Sequence, residues 1–139
     1  MKNSTLAIAF ALIFSCTSSY ATSSTNNSPK GCALVLSAAY VAEVIRDSDS
    51  AETAVSGDYY VPEARIELSQ MNSIYVILRK ADAEFTDPLE KVFIESTMST
   101  LRQKFTAVKE NPNPYYSEII SFHAGLSSDL FKFHNTACR

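Results

Sequence analysis

The stretch DPLEKVFIESTMSTLRQKFTAVKENPNP, residues 87–114, decides the fold class of this chain. Its first four residues, Asp87 to Glu90, combine a capping residue, a proline at the first helical position and an acid three residues after the cap, which predicts a helix start. Asn111-Pro112 ends that helix and Asn113-Pro114 starts another, so a link of two or three residues predicts an antiparallel helix pair. Between these signals apolar residues recur with helical spacing, at Ile94, Met98, Leu101, Phe105 and Val108.

Two other segments also have helical spacing. The first begins at Ser28-Pro29, a cap followed by proline. We expect it to end at about Asp47, because Asp47-Ser48-Asp49-Ser50 has the composition of a loop. The last segment begins at Asn113-Pro114 and continues almost to the C-terminus, and we expect Gly125 to kink or split it.

Residues 62–81 fit two structures. Their apolar residues form a helical stripe, yet residues 64–69 alternate and residues 74–78 are rich in β-formers, as in a hairpin. Because the turn of such a hairpin would contain no glycine, we favour one helix from about Pro62 to Ala81. The predicted fold is therefore all-α, a four-helix up-down bundle-like single domain over residues 29–139. The alternative is an α+β fold with a hairpin at 64–79.

The first 21 residues have the pattern of a secretory signal peptide. Lys2 precedes an uncharged apolar run over residues 6–14, and Ser19-Tyr20-Ala21 offers small residues at the cleavage site. That run is too short to cross a membrane, which takes about 20 residues. Residues 22–28 are polar and predict a flexible N-terminal tail, in which Asn26 lies in a glycosylation sequon that matters only in a eukaryote.

The three cysteines become two if the signal peptide is removed, because Cys16 leaves with it. In an oxidising compartment the remaining Cys32 and Cys138 most simply form a disulfide. In an up-down four-helix bundle, the start of the first helix and the end of the last lie at the same end, so the pairing agrees with four helices. In an alternative, Cys16 is lipidated and anchors the protein to a membrane, although Phe14 is bulkier than that signal prefers.

Composition and motifs exclude several function classes. The formal charge of the 139-residue chain is −3, so it offers no basic field for nucleic acid, and three glycines leave no phosphate-binding loop. No catalytic motif is present, so we predict neither an enzyme nor a cofactor. His123 and His134 would lie about 16 Å apart on one helix, too far to share a metal ion. Neither has zinc-ligand spacing, so we predict no metal site and place both at the edge of the core.

One stretch of the chain combines acidic and aromatic side chains. Acids cluster after the first predicted helix, and a tyrosine pair follows them, a residue type that is enriched at protein interfaces. We therefore predict that a partner with a basic surface binds here. The candidate partner-binding residues are Asp47, Asp49, Glu52, Asp58, Tyr59 and Tyr60.

The expected function is the binding of another macromolecule, most simply a protein, in the bacterial periplasm. In its signal peptide, size, helix pattern and two cysteines, the chain resembles the immunity proteins that neutralise cell-wall-degrading toxins delivered into the periplasm. That resemblance implies an inhibitor of a cell-envelope toxin. A lipidated envelope protein and an enzyme built from scattered acids are alternatives. Another is a helical carrier of a small apolar ligand, with an interior cavity among Met71, Met98, Phe105 and Phe122.

Overall fold

The computed structural model describes residues 28–57, 64–110 and 114–138, and these residues contain four helices and no strand. The helices are α1 (Pro29–Ser56), α2 (Ala64–Asp82), α3 (Pro88–Glu110) and α4 (Tyr116–Ala137). The all-α prediction is therefore confirmed, and the hairpin alternative at 64–79 is wrong, because α2 covers that range. The predicted signal peptide, Cys16 and Asn26 lie outside the described residues.

The helices pack in a ring. α1 packs against α4 and α2, and α2 packs against α3. α3 reaches α4 through aromatic side chains, since the ring of Phe93 stacks on that of Phe133 with centroids 4.4 Å apart. On α1, three alanines, Ala38, Ala39 and Ala42, are completely buried. Because alanine ends at Cβ, neighbouring helices can approach this part of α1 closely.

Two helix starts follow the predicted caps. The Ser28 hydroxyl accepts a hydrogen bond from the Gly31 N–H at 3.2 Å, with Pro29 at the first helical position. Asp87 Oδ1 accepts from the Leu89 N–H at 2.8 Å and the Glu90 N–H at 3.3 Å. These bonds satisfy amide groups that would otherwise lack partners in the first turn.

The prediction that α1 ends near Asp47 is wrong, because the helix continues to Ser56. Serine and threonine hydroxyls here donate to carbonyls one turn earlier, Ser50 to Arg46 at 2.7 Å and Thr53 to Asp49 at 2.8 Å. These residues therefore satisfy their polar groups within the helix instead of forming a loop. Gly57 caps the end of the helix, and its φ of 82° suits a residue without a Cβ.

Gly125 does not split the last helix, which runs from Tyr116 to Ala137. At its end, Cys138 forms the predicted disulfide with Cys32, with Cα atoms 5.7 Å apart. The bond joins the start of α1 to the end of α4, as an up-down bundle requires. Among the described residues, no helix is long and apolar enough to cross a membrane.

Candidate metal centre

Three polar side chains lie in the core of the bundle. Asp49 on α1 is 6% exposed, Glu67 on α2 is 3% exposed, and His123 on α4 is fully buried. The prediction that His123 lies at the edge of the core is therefore wrong, whereas His134 is half-buried. Polar groups at such depth destabilise a fold unless they have partners.

Each of these side chains continues the apolar stripe of its own helix. The buried stripes read Val35, Ala38, Ala42, Ile45 and Asp49 on α1, Glu67, Met71, Ile74, Leu78 and Ala81 on α2, and Ile119, His123, Leu126, Leu130 and Phe133 on α4. The steps of three and four residues direct all members of one stripe to the bundle interior. The three polar residues thus occupy positions that an apolar side chain would normally fill.

The three side chains converge on one point. One ligand atom from each of Asp49, Glu67 and His123 lies within 4.8 Å of the other two. Asp49 Oδ2, Glu67 Oε2 and His123 Nε2 are buried and have no hydrogen-bond partner among the described residues. Each unpartnered buried polar atom lowers the stability of the folded state by about 1–3 kcal/mol. A ligand that binds all three side chains would remove this loss.

A backbone hydrogen bond fixes the state of the His123 ring. Its Nδ1 lies 3.0 Å from the carbonyl oxygen of Ile119, one turn earlier on α4. A carbonyl can only accept, so Nδ1 carries the hydrogen and donates it. In the neutral ring, Nε2 then has a free lone pair, which is the state of a histidine that binds a metal ion.

Burial keeps the two carboxyl groups from ionising readily. It raises the pKa of Asp49 to about 6. Burial, and then the negative charge of Asp49, raise the pKa of Glu67 to about 7. Two carboxylates so close together in the core repel each other, and a cation between them would remove that repulsion.

The imidazole is held in its neutral form. Burial is the largest cause that lowers the pKa of His123, to about 4. The hydrogen bond to Ile119 opposes this change, and the positive charge of Lys104 adds to it. Histidine must be neutral to coordinate a metal ion, so the ring is suited to that role near pH 7.

The donor set fits a divalent transition-metal ion. An imidazole nitrogen and two carboxylate oxygens are ligands of Zn²⁺, Mn²⁺ and Fe²⁺, whereas Ca²⁺ and Mg²⁺ favour sites of oxygen alone. Two ligands of a tetrahedral Zn²⁺ lie about 3.4 Å apart, given Zn–N and Zn–O bonds of about 2.1 Å. The ligand atoms lie within 4.8 Å of one another, so binding of the ion would draw some pairs closer by up to about 1.4 Å.

The structure separates the candidate partner-binding residues. Asp47 is exposed and pairs with Arg46 at 2.7 Å, and Glu52 is exposed as well. Asp49 faces the core and so does not share a surface with Asp47. Asp58, Tyr59 and Tyr60 lie outside the described residues. A role of these residues in partner binding stays a prediction.

A cleft lies between α2 and α3, near the expected apolar cavity. Of the residues named for that cavity, Met71 and Phe105 line the cleft, while Met98 is buried and Phe122 does not line it. The cleft has a volume of about 230 Å³ and its other lining residues are Asn72, Tyr75, Leu101 and Arg102. It is open to solvent rather than interior, with Arg102 5.5 Å from the ring centroid of Tyr75.

Comparison with known proteins gives no relative for this chain. No protein-family model, no curated protein and no solved structure matches it.

Proposed function

We propose that this protein binds a single divalent transition-metal ion between α1, α2 and α4, with Asp49, Glu67 and His123 as ligands. The observation that carries the proposal is the convergence of three buried side chains, each from a different helix and each with a buried atom that has no hydrogen-bond partner among the described residues. A native protein has a few such atoms, each of which needs an explanation. Here three of the side chains that carry them each bring one ligand atom within 4.8 Å of the others, as a set of metal ligands would.

The metal ion would act as a second cross-link of the bundle. Asp49 lies 17 residues after Cys32 on α1, which is about 25 Å along the helix axis. The disulfide therefore joins α1 to α4 at one end, and the ion joins α1, α2 and α4 near the other. Because the ligands are far apart in the unfolded chain, metal binding would stabilise the folded state.

The proposal is tested by titrating Zn²⁺ into the purified protein after treatment with EDTA, using isothermal titration calorimetry. We expect one ion to bind per chain. The variant His123→Gln should lose affinity by about 100-fold or more, since removal of even an outer-shell partner costs about 10–100-fold. The matched control is His134→Gln, which changes the other histidine of α4.

A second pair of variants tests the carboxylates. Glu67→Gln should weaken Zn²⁺ binding as strongly as His123→Gln does, while Glu90→Gln should not. Glu90 is also a buried carboxyl, but it lies at the start of α3, near the disulfide end of the bundle. The proposal fails if no Zn²⁺ binds, or if the control variants lose as much affinity as the ligand variants.

We also propose export to the bacterial periplasm, which the predicted signal peptide and the Cys32–Cys138 disulfide support. Fusion of residues 1–21 to a reporter that is active only after export tests this proposal. An inactive fusion in a bacterial host would contradict it.

Binding of a cell-envelope toxin is a second candidate function. It is favoured by Tyr40 and Val44, which are 54% and 67% exposed and lie one turn apart on α1. Tyrosine is enriched at protein interfaces, and the exposed valine one turn away extends the apolar surface beside it. The double variant Tyr40→Ser/Val44→Ser should lose a partner that co-purifies from envelope extract, whereas Val55→Ser, at the exposed end of α1, should retain it. If both variants retain the partner equally well, the surface formed by Tyr40 and Val44 is not the binding site.

A further inference from the structure

The cleft between α2 and α3 has largely apolar walls. The buried side chains of Met71 and Leu101 line it together with the half-buried rings of Tyr75 and Phe105. Its volume is about 230 Å³. An apolar cavity of about 150 Å³ in a protein can hold a benzene molecule, so this cleft has room for one aromatic ring with a short substituent. Aromatic walls favour an aromatic ligand, because ring pairs attract each other beyond the effect of the area that they bury.

One cationic side chain lines the same cleft. The guanidinium of Arg102 lies over the ring of Tyr75, with its Cζ 5.5 Å from the ring centroid. A guanidinium that lies on a ring keeps its N–H donors free to bind a carboxylate with two hydrogen bonds. Among the side chains that the structure describes, no acid lines the cleft, and Arg102 forms no ion pair. The cleft therefore offers an apolar wall and a free anion-binding group next to each other.

We infer that this cleft binds a small aromatic carboxylate, a single ring with a short carboxylate arm. The ring lies against Tyr75 and Phe105, and the carboxylate pairs with the guanidinium of Arg102. None of the three candidate metal ligands lines the cleft, so this site is separate from the metal centre and does not depend on the proposed function.

The test is a titration of phenylacetate into isotope-labelled protein, followed by the backbone amide shifts in nuclear magnetic resonance spectra. We expect saturable shifts at the residues that line the cleft, with a Kd of roughly 1 mM or below. Acetate, which lacks the ring, should bind at least about 10-fold more weakly, because it buries little apolar surface. Phenylacetamide, which keeps the ring but carries no charge, should bind about 5-fold more weakly, the upper end for the loss of an exposed ion pair.

A variant of the arginine tests the charge from the side of the protein. Arg102→Gln should weaken phenylacetate binding about 5-fold and should change phenylacetamide binding less than about 2-fold. The control Lys132→Gln removes an exposed positive charge from α4, away from the cleft, and should change phenylacetate binding less than about 2-fold.

Each other outcome overturns the inference. If phenylacetate causes no saturable shifts, or shifts only outside the cleft, the cleft is not its binding site. If phenylacetamide binds as tightly as phenylacetate, or if Arg102→Gln binds phenylacetate as tightly as the unaltered protein does, the carboxylate does not pair with Arg102. Shifts of the same amides on dilution without ligand would show that a second copy of the chain fills the cleft. The titration is carried out once in EDTA and once with Zn²⁺, and we expect the same affinity in both. Binding only with Zn²⁺ would mean that the carboxylate binds the metal ion and not the cleft.

Discussion

Replacement of Glu67 by glutamine should stabilise the metal-free protein at alkaline pH. Burial and the charge of Asp49 raise the pKa of Glu67 from 4.5 to about 7. At 1.36 kcal/mol per pKa unit, this corresponds to about 3 kcal/mol against the ionised carboxylate. Glutamine has nearly the same shape and no charge. Because water and side-chain relaxation reduce such penalties, we expect the free energy of unfolding to rise by about 1–3 kcal/mol.

The pH dependence of this effect has a definite sign. With a raised carboxyl pKa, the folded state binds more protons than the unfolded state between pH 4.5 and about 7. The stability of the unaltered protein therefore falls, through this group, as the pH rises across that window. Glu67→Gln lacks the titrating group. The two proteins should be similar in stability near pH 4 and differ most at pH 8.

Urea unfolding followed by far-ultraviolet circular dichroism, in the presence of EDTA, measures the difference. The control Glu95→Gln changes an exposed carboxylate on α3 and should alter stability by less than about 0.5 kcal/mol. Addition of Zn²⁺ should reverse the order. At 1,000 times its Kd, the ion adds about 4.1 kcal/mol to the unaltered protein, which exceeds the expected gain from the substitution, and much less to Glu67→Gln. If Glu67→Gln is less stable at pH 8 in EDTA, the reasoning about an uncompensated buried charge is refuted.

Three other predictions concern the disulfide, the metal site and the end of α1. Cys32→Ser should lower the free energy of unfolding by several kcal/mol, since a loop of about 100 residues is worth up to about 4.7 kcal/mol; an unchanged urea midpoint would refute this. The Zn²⁺ affinity should fall between pH 8 and pH 5.5, because Glu67 and Asp49, with pKa values of about 7 and about 6, must lose protons to bind; calorimetry that finds a constant affinity would contradict it. Gly57→Ala should lower the free energy of unfolding by about 1–3 kcal/mol, because φ of 82° with ψ of 172° is a conformation that residues with a Cβ rarely adopt. No loss of stability in urea unfolding would contradict this account of the cap.

Local signals predicted the helices well where a cap and an apolar stripe agreed. Asp87 starts α3 and Ser28 starts α1, and both form the expected hydrogen bonds. The end of α1 was missed because serine and aspartate favour loops by their side-chain hydrogen bonds. Ser50 and Thr53 instead bond to carbonyls of their own helix, a choice that depends on the surrounding packing.

The candidate metal centre was missed for a related reason. If only apolar residues are considered, Phe122 is assigned to the buried stripe of α4. The structure buries the neighbouring His123 instead. On α1, the predicted loop at 47–50 removed Asp49 from the helix on which it lies. The spacing of three and four residues continues through polar positions as well. When it is followed there, Asp49, Glu67 and His123 each belong to a core stripe. Their convergence, however, depends on how α1, α2 and α4 pack together. A local sequence pattern does not predict that packing.

The most direct test of the metal centre is anomalous diffraction at the zinc edge from crystals grown with Zn²⁺. We predict one strong peak in the bundle core, about 2.0–2.2 Å from His123 Nε2 and from one carboxylate oxygen each of Asp49 and Glu67. Zinc peaks at the surface alone, with these three side chains bonded to one another or to water, would contradict the central claim.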